Sequence, residues 1–306
     1  MCLVSVVMGI YNEPEQYIFK AVDSIINQSF MDFELIIVLD NPDNRTAKNV
    51  VQNLGHKDKR IKVLINEKNI GLANSLVKAI DISKGQYIAR MDADDISEPD
   101  RIGIELKYLI DHPECDLVCT AVKKIDDQGK IISTRNLIPK SEKILSNSLR
   151  YGNPIVHSTV MFRKSAYIKA GGYNDLFAAQ DFDLWTRMKK NGAVFHYIPK
   201  ILVEYRVTEG NTTNSKAIIQ GLTANYIIDN RDSCMAFDFK GYENYIFKFC
   251  NNEKFCKEYK KYEKAKHLDH LSDSFILLYL AIVNRAIRRK IVKNLYFRIV
   301  MNNKKF

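Results

Sequence analysis

Three carboxylates crowd into one short stretch of the chain, "MDADD" at residues 91–95, directly after the apolar run "GQYIARM". Asp92, Asp94 and Asp95 repel one another. A turn lets such side chains converge on Mg²⁺ or Mn²⁺, which prefer oxygen ligands. A solvated acidic turn is the alternative. An EF-hand loop is excluded, because its sixth position requires glycine and here is Ser97.

The patterns around this stretch predict the elements that position it. Residues 1–125 alternate between continuous apolar runs and stretches with helical spacing, which predicts a mostly parallel central sheet flanked by helices. In such sheets, ligands bind beyond the carboxyl ends of the strands. Polar clusters follow three of the predicted strands: Tyr11, Asn12 and Glu13 after the first, Asp40 and Asn41 after the second, and Asp92–Asp95 after the fourth.

The rest of the chain is more mixed. Within 126–210 the patterns predict a hairpin turn at "DDQGK", helices at "SEKILSNSLRY" and "DFDLWTRMKKN", and strands at "STVMFR" and "ILVEYRV". Residues 211–306 are helical by pattern. A soft boundary near Gly210 divides the chain into a domain of residues 1–210 and a helical, basic region of residues 211–306.

The composition is that of a globular protein with a basic tail. Hydrophobic residues make up 46% of 306, enough for a sizeable core. The net charge of +10 is local, because residues 240–306 carry 16 Lys and Arg against 6 Asp and Glu. The 6 cysteines form no Cys-x-x-Cys pair and indicate free thiols in a reducing compartment. With no signal-peptide pattern and no apolar run of the roughly 20 residues that a span needs, we expect a cytoplasmic protein.

Several common site motifs are absent from the sequence. No G-x-G-x-x-G follows the first predicted strand, and no G-x-x-x-x-G-K-[ST] occurs, which disfavours dinucleotide-binding and P-loop proteins. There is no G-x-S-x-G nucleophile elbow either.

Five segments, in order, resemble a family 2 inverting glycosyltransferase of the GT-A fold, of the type common in bacterial polysaccharide and lipopolysaccharide synthesis. The resemblance covers residues 3 to about 208. Its segments are "SVVMGIYNEPEQYIFKAVDSIINQSFMDFELIIVLD", "NIGLANSLVKAI", "GQYIARMDADDISEPDRI", "HSTVMFRKSAYIKAGGYND" and "QDFDLWTRM". It implies a Rossmann-like α/β fold, here with a helical C-terminal extension.

The resemblance implies roles for the polar clusters. Tyr11, Asn12 and Glu13 match the loop that holds the nucleobase and ribose. Asp40 matches the aspartate that accepts the uracil N3–H, a suitable role because a carboxylate is only an acceptor. Asp92 and Asp94 match the Asp-x-Asp pair that binds the ribose and the diphosphate bridged by Mn²⁺ or Mg²⁺.

Within that acidic pair, Asp94 is our choice for direct metal coordination. Asp95 has two open readings: it lines the donor sugar, or it caps the segment that follows.

Asp181 of "QDFDLW" matches the family's catalytic base, which would take the proton from an acceptor hydroxyl as its oxygen attacks the anomeric carbon opposite UDP. The competing reading is a carboxylate that stabilises a helix N-terminus. Asp183 competes as base, but on a helix the two side chains point about 200° apart, so only one can face the site. Trp185 shares the helical face of Asp181 and is either an acceptor-sugar platform or a core residue. His157 is either a substrate contact or, more simply, a structural histidine.

Some positions depart from the family pattern. Leu39 stands where aspartate is usual, Gln180 where glutamate is common, and Thr208 where a histidine that helps hold the metal or diphosphate is frequent. The absence of a Gln-x-x-Arg-Trp motif and of membrane spans argues against a processive polymerase.

The C-terminal stretch 275–301 has the pattern of a basic amphipathic helix. Apolar residues recur every three or four positions, at Leu280, Val283, Ile287, Ile291, Leu295 and Ile299. Such a helix can lie on an anionic membrane surface, or it can pack on the catalytic domain with its basic face solvated. Nucleic acid is disfavoured, since no recognition motif is present.

The sequence therefore predicts a non-processive, metal-dependent glycosyltransferase. It would move one sugar from a UDP-sugar to a lipid-linked glycan, peripheral to the inner face of the cell membrane. A sugar nucleotidyltransferase is one alternative, although the Gly-rich loop it needs after the first strand is missing. A non-catalytic sugar-nucleotide or glycan-binding module is the other.

Overall fold

The computed structural model describes residues 3–134, 142–208, 217–233, 236–265, 276–277, 279–281 and 284–296. The strands of these segments are β1 Val4–Ile10, β2 Phe33–Leu39, β3 Ile61–Ile65, β4 Tyr87–Asp92, β5 Ile96–Ser97, β6 Leu117–Ile125, β7 Ile131–Ser133, β8 Val160–Arg163 and β9 Phe195–Arg206. The helices are α1 Glu15–Ile26, α2 Arg45–Lys57, α3 Gly71–Asp81, α4 Arg101–Asp111, α5 Glu142–Ser148, α6 Lys164–Lys169, α7 Gln180–Lys190, α8 Ala217–Asn230, α9 Phe239–Cys250, α10 Glu253–Ala265 and α11 Arg285–Tyr296.

These strands form one sheet in the order β3-β2-β1-β4-β8-β6-β9-β5, with β7 paired to β6. The first four strands of this order run parallel to one another, as the alternating pattern of residues 1–125 predicts. Right-handed crossovers through α1, α2 and α3 are the expected connections of such strands. The carboxyl ends of β2, β1 and β4 therefore lie side by side.

The second half of the sheet departs from the parallel prediction. β8 runs antiparallel between β4 and β6. β5 pairs antiparallel with β9, and β7 pairs antiparallel with β6, whereas β9 runs parallel to β6. The hairpin predicted at "DDQGK" is present: the Asp126 amide donates to the Lys130 carbonyl at 2.9 Å, and Gly129 has a φ of +89°. β9 begins well before the predicted "ILVEYRV".

Two hydrophobic cores cover the two faces of the sheet. All seven residues of both β1 and β2 are buried, and successive side chains enter opposite cores: Val6 and Leu35 enter one, Val7 and Ile36 the other. Helices α1, α2 and α4 complete the first core, and α3, α7 and the C-terminal helices complete the second. Burial on both faces explains why these strands read as unbroken apolar runs.

The C-terminal helices share the second core with the sheet. Leu222 of α8, Tyr242 of α9 and Tyr259 of α10 are buried in the same cluster as Phe182 and Trp185 of α7. The described helices confirm the helical pattern of the C-terminal region. The boundary predicted near Gly210 lies outside the described residues.

Of the two alternatives for 275–301, the described apolar side chains of the predicted stripe show packing on the protein. Leu280 and Ile287 are 0% exposed, and Ile291 packs against the same core. These side chains lie against the protein because the neighbouring helices offer them a dry apolar surface. Val283, Leu295 and Ile299 fall outside the side chains that the structure describes. In the described part of the chain, no helix has both the length and the apolar character needed to cross a bilayer.

Candidate active site

The candidate site lies at the carboxyl edge of the parallel strands, where sequence and topology bring the polar clusters together. Ile10 pairs with Leu39, so Tyr11 and Asp40 leave the sheet next to each other. Gly9 pairs with Asp92, which places the acidic stretch on the other side of β1. With neighbouring strands about 4.8 Å apart, Asp40 and Asp92 lie roughly 10 Å from each other along this edge.

Asp40 is 4% exposed and binds the start of α3. Its Oδ1 accepts from the Asn66 side chain at 2.8 Å and from the Ile70 amide at 2.9 Å, and its Oδ2 accepts from the Gly71 amide at 2.8 Å. Gly71 has a φ of +85°, a conformation that glycine adopts without strain. A carboxylate has about four acceptor positions, and these contacts use three of them.

The loop after β1 is organised by its own polar side chains. The Tyr11 amide donates to Glu13 Oε2 at 2.6 Å, and Asn41 Nδ2 donates to Asn12 Oδ1 at 2.7 Å. The Tyr11 ring is 44% exposed, so it presents a free aromatic face beside Asp40. Burial raises the pKa of Glu13, and the charge of Asp92 raises it further.

The acidic stretch is a turn at the end of β4. Asp92 is the last strand residue, and its Oδ1 accepts a hydrogen bond from the guanidinium of Arg90. Asp94 follows in the turn and is partly exposed. Burial, together with the nearby charges of Asp92 and Glu13, raises the pKa of Asp94 to about 7. The charges of Glu13 and Asp92 thus both act on Asp94, and the sequence did not predict this influence of Glu13 on the acidic turn.

Asp95 is enclosed in the protein rather than turned toward an open site. It is 1% exposed, accepts from the Ser158 hydroxyl, and its Oδ1 accepts from the Arg206 amide at 2.8 Å. Burial and the neighbouring carboxylates raise its pKa well above the ordinary value. These contacts are neither of the two predicted roles: Asp95 ties the turn to the end of β9 and to the short 3₁₀ turn His157–Thr159.

Asp181 lies in the first turn of α7 and is partly exposed. Asn153 donates to its Oδ2 at 2.6 Å, and backbone N–H groups of the helix start also bind its carboxylate. Burial raises the pKa of Asp181 to about 6, and the charge of Asp92 contributes to the rise. Asp181 is therefore near enough to the acidic turn for the charge of Asp92 to affect its pKa. Ala179, immediately before α7, has a φ of +55°, a strained conformation of the kind found at functional sites.

Asp183 does not compete as a base. It is 3% exposed, and its Oδ2 accepts from Arg187 at 2.6 Å and from Asn174 at 2.9 Å. A carboxylate held in a buried ion pair is both occupied and inaccessible.

Trp185 is not a sugar platform, because it is 0% exposed. Its ring packs edge-on against Phe162 and His157 in the core, where α7 crosses the sheet. His157 is a structural histidine by its contacts: its Nε2 lies 2.8 Å from the Tyr173 hydroxyl, and desolvation lowers its pKa well below the ordinary value. Trp185 is therefore a core residue, and His157 packs against it at the edge of that core.

Two buried arginines near the acidic turn were not predicted. Arg206 donates from its Nε to the Asp94 carbonyl and from its Nη1 to the Asp126 carbonyl, both at 2.8 Å. It also stacks over the Tyr17 ring, with 4.3 Å from guanidinium carbon to ring centroid. Arg90 contacts Asp92 as described. The sequence places each arginine near the end of a predicted strand. That position alone does not show whether the side chain is buried or solvated.

The carboxylates of Glu13, Asp92 and Asp94 could supply some, but not all, of the oxygen ligands of a hard divalent cation. The charge of Asp92 raises the pKa of Glu13, and the charges of Asp92 and Glu13 raise the pKa of Asp94; a bound cation would relieve this repulsion. Among the described residues, no three His, Cys, Asp or Glu side chains form a ready-made metal cage. Mg²⁺ is typically held by one or two carboxylates plus substrate phosphates, which matches this arrangement. Thr208, partly exposed beyond β9, stands where the family often has histidine.

The candidate site therefore combines an acidic turn at the carboxyl edge of the parallel strands with a second carboxyl group of raised pKa, Asp181, at the start of α7. The sequence matches the model of "Glycosyl transferase family 2" over residues 5–171, and the chain belongs to that family.

Named relatives agree with this membership. An uncharacterized glycosyltransferase of Methanocaldococcus jannaschii is 37% identical over 227 residues, covering 74% of this chain and 78% of the relative. The O-antigen biosynthesis glycosyltransferase WbnJ of Escherichia coli is 31% identical over 216 residues, covering 70% of this chain and 83% of the relative. The chain is thus a family 2 glycosyltransferase related to enzymes of polysaccharide biosynthesis.

A solved structure confirms the fold. The crystal structure of S. aureus TarS 1-349 in complex with UDP-GlcNAc matches with a TM-score of 0.64 and 16% sequence identity, over 97% of this chain and 87% of that one. The GT-A fold with a helical C-terminal extension, expected from the sequence, is therefore confirmed.

Proposed function

We propose that this protein is a non-processive inverting glycosyltransferase that transfers one sugar from a UDP-sugar to a hydroxyl group of a lipid-linked glycan. The observation that carries the proposal is the joint environment of Asp181 and the acidic turn. A partly exposed carboxyl group with a pKa near 6 faces the charges of a donor-binding cluster. Family membership favours this function over a sugar nucleotidyltransferase.

The donor lies along the edge of the sheet in this proposal. Uracil stacks on the Tyr11 ring and donates its N3–H to the remaining acceptor position of Asp40 Oδ2. The ribose reaches Asp92, and the diphosphate lies at Asp94. The separation of roughly 10 Å between β2 and β4 suits a nucleoside that extends across one intervening strand. The TarS structure, which holds UDP-GlcNAc on the same fold, supports this class of donor.

Asp94, assisted by Asp92, would hold Mn²⁺ or Mg²⁺ with the diphosphate oxygens. The ion, when bound, neutralises charge on the leaving diphosphate. Asp40, Tyr11, Asn12 and Glu13 orient the nucleoside, and Asp95 and Arg206 keep the turn in place.

Asp181 acts as the base. Its carboxylate accepts the proton of the acceptor hydroxyl while that oxygen forms a bond to the anomeric carbon, and the bond from that carbon to UDP breaks with its electron pair on UDP. One displacement from the face opposite UDP inverts the anomeric configuration. The hydrogen bond from Asn153 to Oδ2 and those from the backbone at the start of α7 fix the orientation of the Asp181 carboxylate toward the acceptor.

The acceptor is a glycan, and the family relatives support a surface polysaccharide. WbnJ carries the description of an O-antigen biosynthesis enzyme. Lipid-linked glycans are presented at a membrane, so a peripheral position at the cytoplasmic face follows from the proposed acceptor. The basic C-terminal region would meet anionic headgroups there through charge.

Two variants on α7 test the base. Asp181→Asn should keep UDP affinity and lower transfer by about 10²- to 10⁴-fold, the usual contribution of a general base. Asp183→Asn is the matched control on the same helix, and it should lower the unfolding temperature with no comparable loss of kcat. A thermal-shift screen of UDP-, GDP- and dTDP-sugars with Mn²⁺ first identifies the donor, and UDP release measures turnover.

The base assignment is wrong if Asp181→Asn transfers sugar at the wild-type rate. A protein that binds donors but releases no UDP with any acceptor would instead be a sugar-nucleotide-binding module.

A further inference from the structure

One arginine is fully buried beneath the acidic turn. Arg90 lies on β4 and is 0% exposed. Its Nη2 donates to Oδ1 of Asp92, while its Nε and Nη1 have no hydrogen-bond partner among the described residues. A guanidinium stays charged in proteins, and burial of a charge with a single partner costs stability. Such a residue calls for a functional explanation.

The position of Arg90 connects the two halves of the site. Strand alternation places it on the face of Ile88, toward the core beneath α7, while Ala89 and Met91 enter the opposite core. Its charge acts on Glu13 and Asp94 at the acidic edge and on His157 and Tyr173 beneath α7.

Complete burial excludes direct contact between Arg90 and a ligand in this conformation. Any effect on the donor must therefore pass through a neighbour, and the hydrogen bond identifies that neighbour as Asp92. The Asp92 side chain is 29% exposed, so one of its oxygens can be held from below while the other remains accessible.

We propose that Arg90 is a positioning residue for donor binding: it holds Oδ1 of Asp92, directs the other oxygen toward the donor ribose, and offsets the repulsion among Glu13, Asp92 and Asp94. The inference rests on the proposed function, because it takes Asp92 as the ribose-binding carboxylate. In this inference, the Arg90 guanidinium keeps the acidic turn in its donor-binding conformation before the donor and the metal bind. The planar guanidinium suits this role better than a lysine ammonium, since it fixes direction as well as charge.

Calorimetry of uridine without metal, and of UDP with Mn²⁺, tests the inference in a double-mutant cycle. Arg90→Met keeps the apolar stem and removes the charge. It should weaken uridine and UDP binding by about 10- to 100-fold, the usual effect of losing an outer-shell partner. Asp92→Asn should also weaken binding, and the double variant should bind no worse than Asp92→Asn alone, because Arg90 acts through Asp92. Arg90→Lys should fall between wild type and Arg90→Met.

Arg101 provides the matched control. It is also 0% exposed, lies behind the same strand, and pairs with Glu105 at 2.9 Å. The double change Arg101→Gln with Glu105→Gln should lower the unfolding temperature and leave uridine affinity unchanged.

The outcomes distinguish an error in the role of Asp92 from an error in the role of Arg90. If Asp92→Asn binds uridine and UDP like wild type, the proposed role of Asp92 fails. If Asp92→Asn weakens binding while Arg90→Met does not, or if the two losses add, the inference about Arg90 is overturned and the proposed function stands. Thermal unfolding reports whether each variant is folded. If Arg90→Met does not fold, wild-type uridine affinity in Arg90→Lys overturns the inference.

Discussion

At the scale of single residues, partners decide what each carboxylate can do. Asp181 and Asp183 lie in the same turn of α7, yet only Asp181 is partly exposed, whereas Asp183 is buried and held by Arg187 and Asn174. The carboxylates of the acidic turn differ in the same way. Asp95 is buried and accepts hydrogen bonds from Ser158 and the Arg206 amide, whereas Asp94 is partly exposed and has a raised pKa. Identical side chains thus differ in exposure and in hydrogen-bond partners, which is the basis of the separate roles proposed for them.

The pKa of Asp181 predicts the acid limb of the pH–rate profile. The base works only when ionised, and burial raises its pKa from 3.8 to about 6. Turnover should therefore rise about tenfold per pH unit up to pH 6 and level off above pH 7. UDP release at saturating donor, acceptor and Mn²⁺ measures the profile, with Asp183→Asn as the control that retains it. A limb centred near pH 4 would show that Asp181 titrates as a solvated carboxyl group.

Asp94 is the residue on which metal-dependent binding should depend. Asp94→Ala removes a carboxylate whose pKa of about 7 reflects burial and repulsion that a cation would relieve. We expect UDP affinity in the presence of Mn²⁺ to fall by about tenfold or more, while uridine affinity without metal stays close to wild type. Isothermal calorimetry measures both. Unchanged UDP affinity with Mn²⁺ would refute the assignment of Asp94 to the metal.

At the scale of elements, a C-terminal helix holds the segment that leads to the base. Tyr242 of α9 is 1% exposed, and its hydroxyl accepts from the Phe177 amide at 3.1 Å and from the Ala178 amide. It also lies 2.9 Å from the Thr223 hydroxyl of α8. The residues it binds lead directly into the strained Ala179 and α7. The helical region is therefore part of the structure that places Asp181.

Tyr242→Phe tests this contact between elements. The change leaves two backbone amides without their acceptor, so we expect a loss of about 1–3 kcal/mol in the free energy of unfolding. Because the loop carries the base, kcat should fall while UDP affinity is retained. Tyr226→Phe is the matched control, since its hydroxyl binds the Asp238 carbonyl at 3.1 Å, away from the loop. Equal kinetic effects of both variants would contradict a specific role for Tyr242.

At the scale of the whole molecule, the distribution of charge and apolar surface limits how the protein can meet a membrane. Residues 240–306 carry 16 Lys and Arg against 6 Asp and Glu. The apolar side chains Leu280 and Ile287, however, lie inside the protein. Part of the basic charge is also paired, as Arg289 binds Asp229 and Lys290 lies over the Tyr259 ring. Attraction without insertion is the mode that this arrangement favours.

Vesicle flotation distinguishes attraction from insertion. We expect the full chain to float with anionic vesicles at low salt and to dissociate at about 1 M salt, where the Debye length falls to about 3 Å. Neutral vesicles are the control and should not bind. Binding that survives high salt would reveal an inserted apolar surface, and no binding to anionic vesicles would remove the membrane from the proposal.

The sequence by itself determined most of the strands and helices and the order of the polar clusters, because hydrophobic periodicity and strand ends are local properties of the chain. It placed Asp40, Asp92 and Asp94 at one edge for the same reason. The tertiary structure decided which side chains remained accessible. Trp185 and Asp183 were candidates by spacing on α7, but packing buried both, and the amphipathic face at Leu280 and Ile287 found a partner within the protein. Arg90 and Tyr242 came from the structure alone, since burial and a hydrogen bond to a distant residue depend on how segments far apart in sequence pack together.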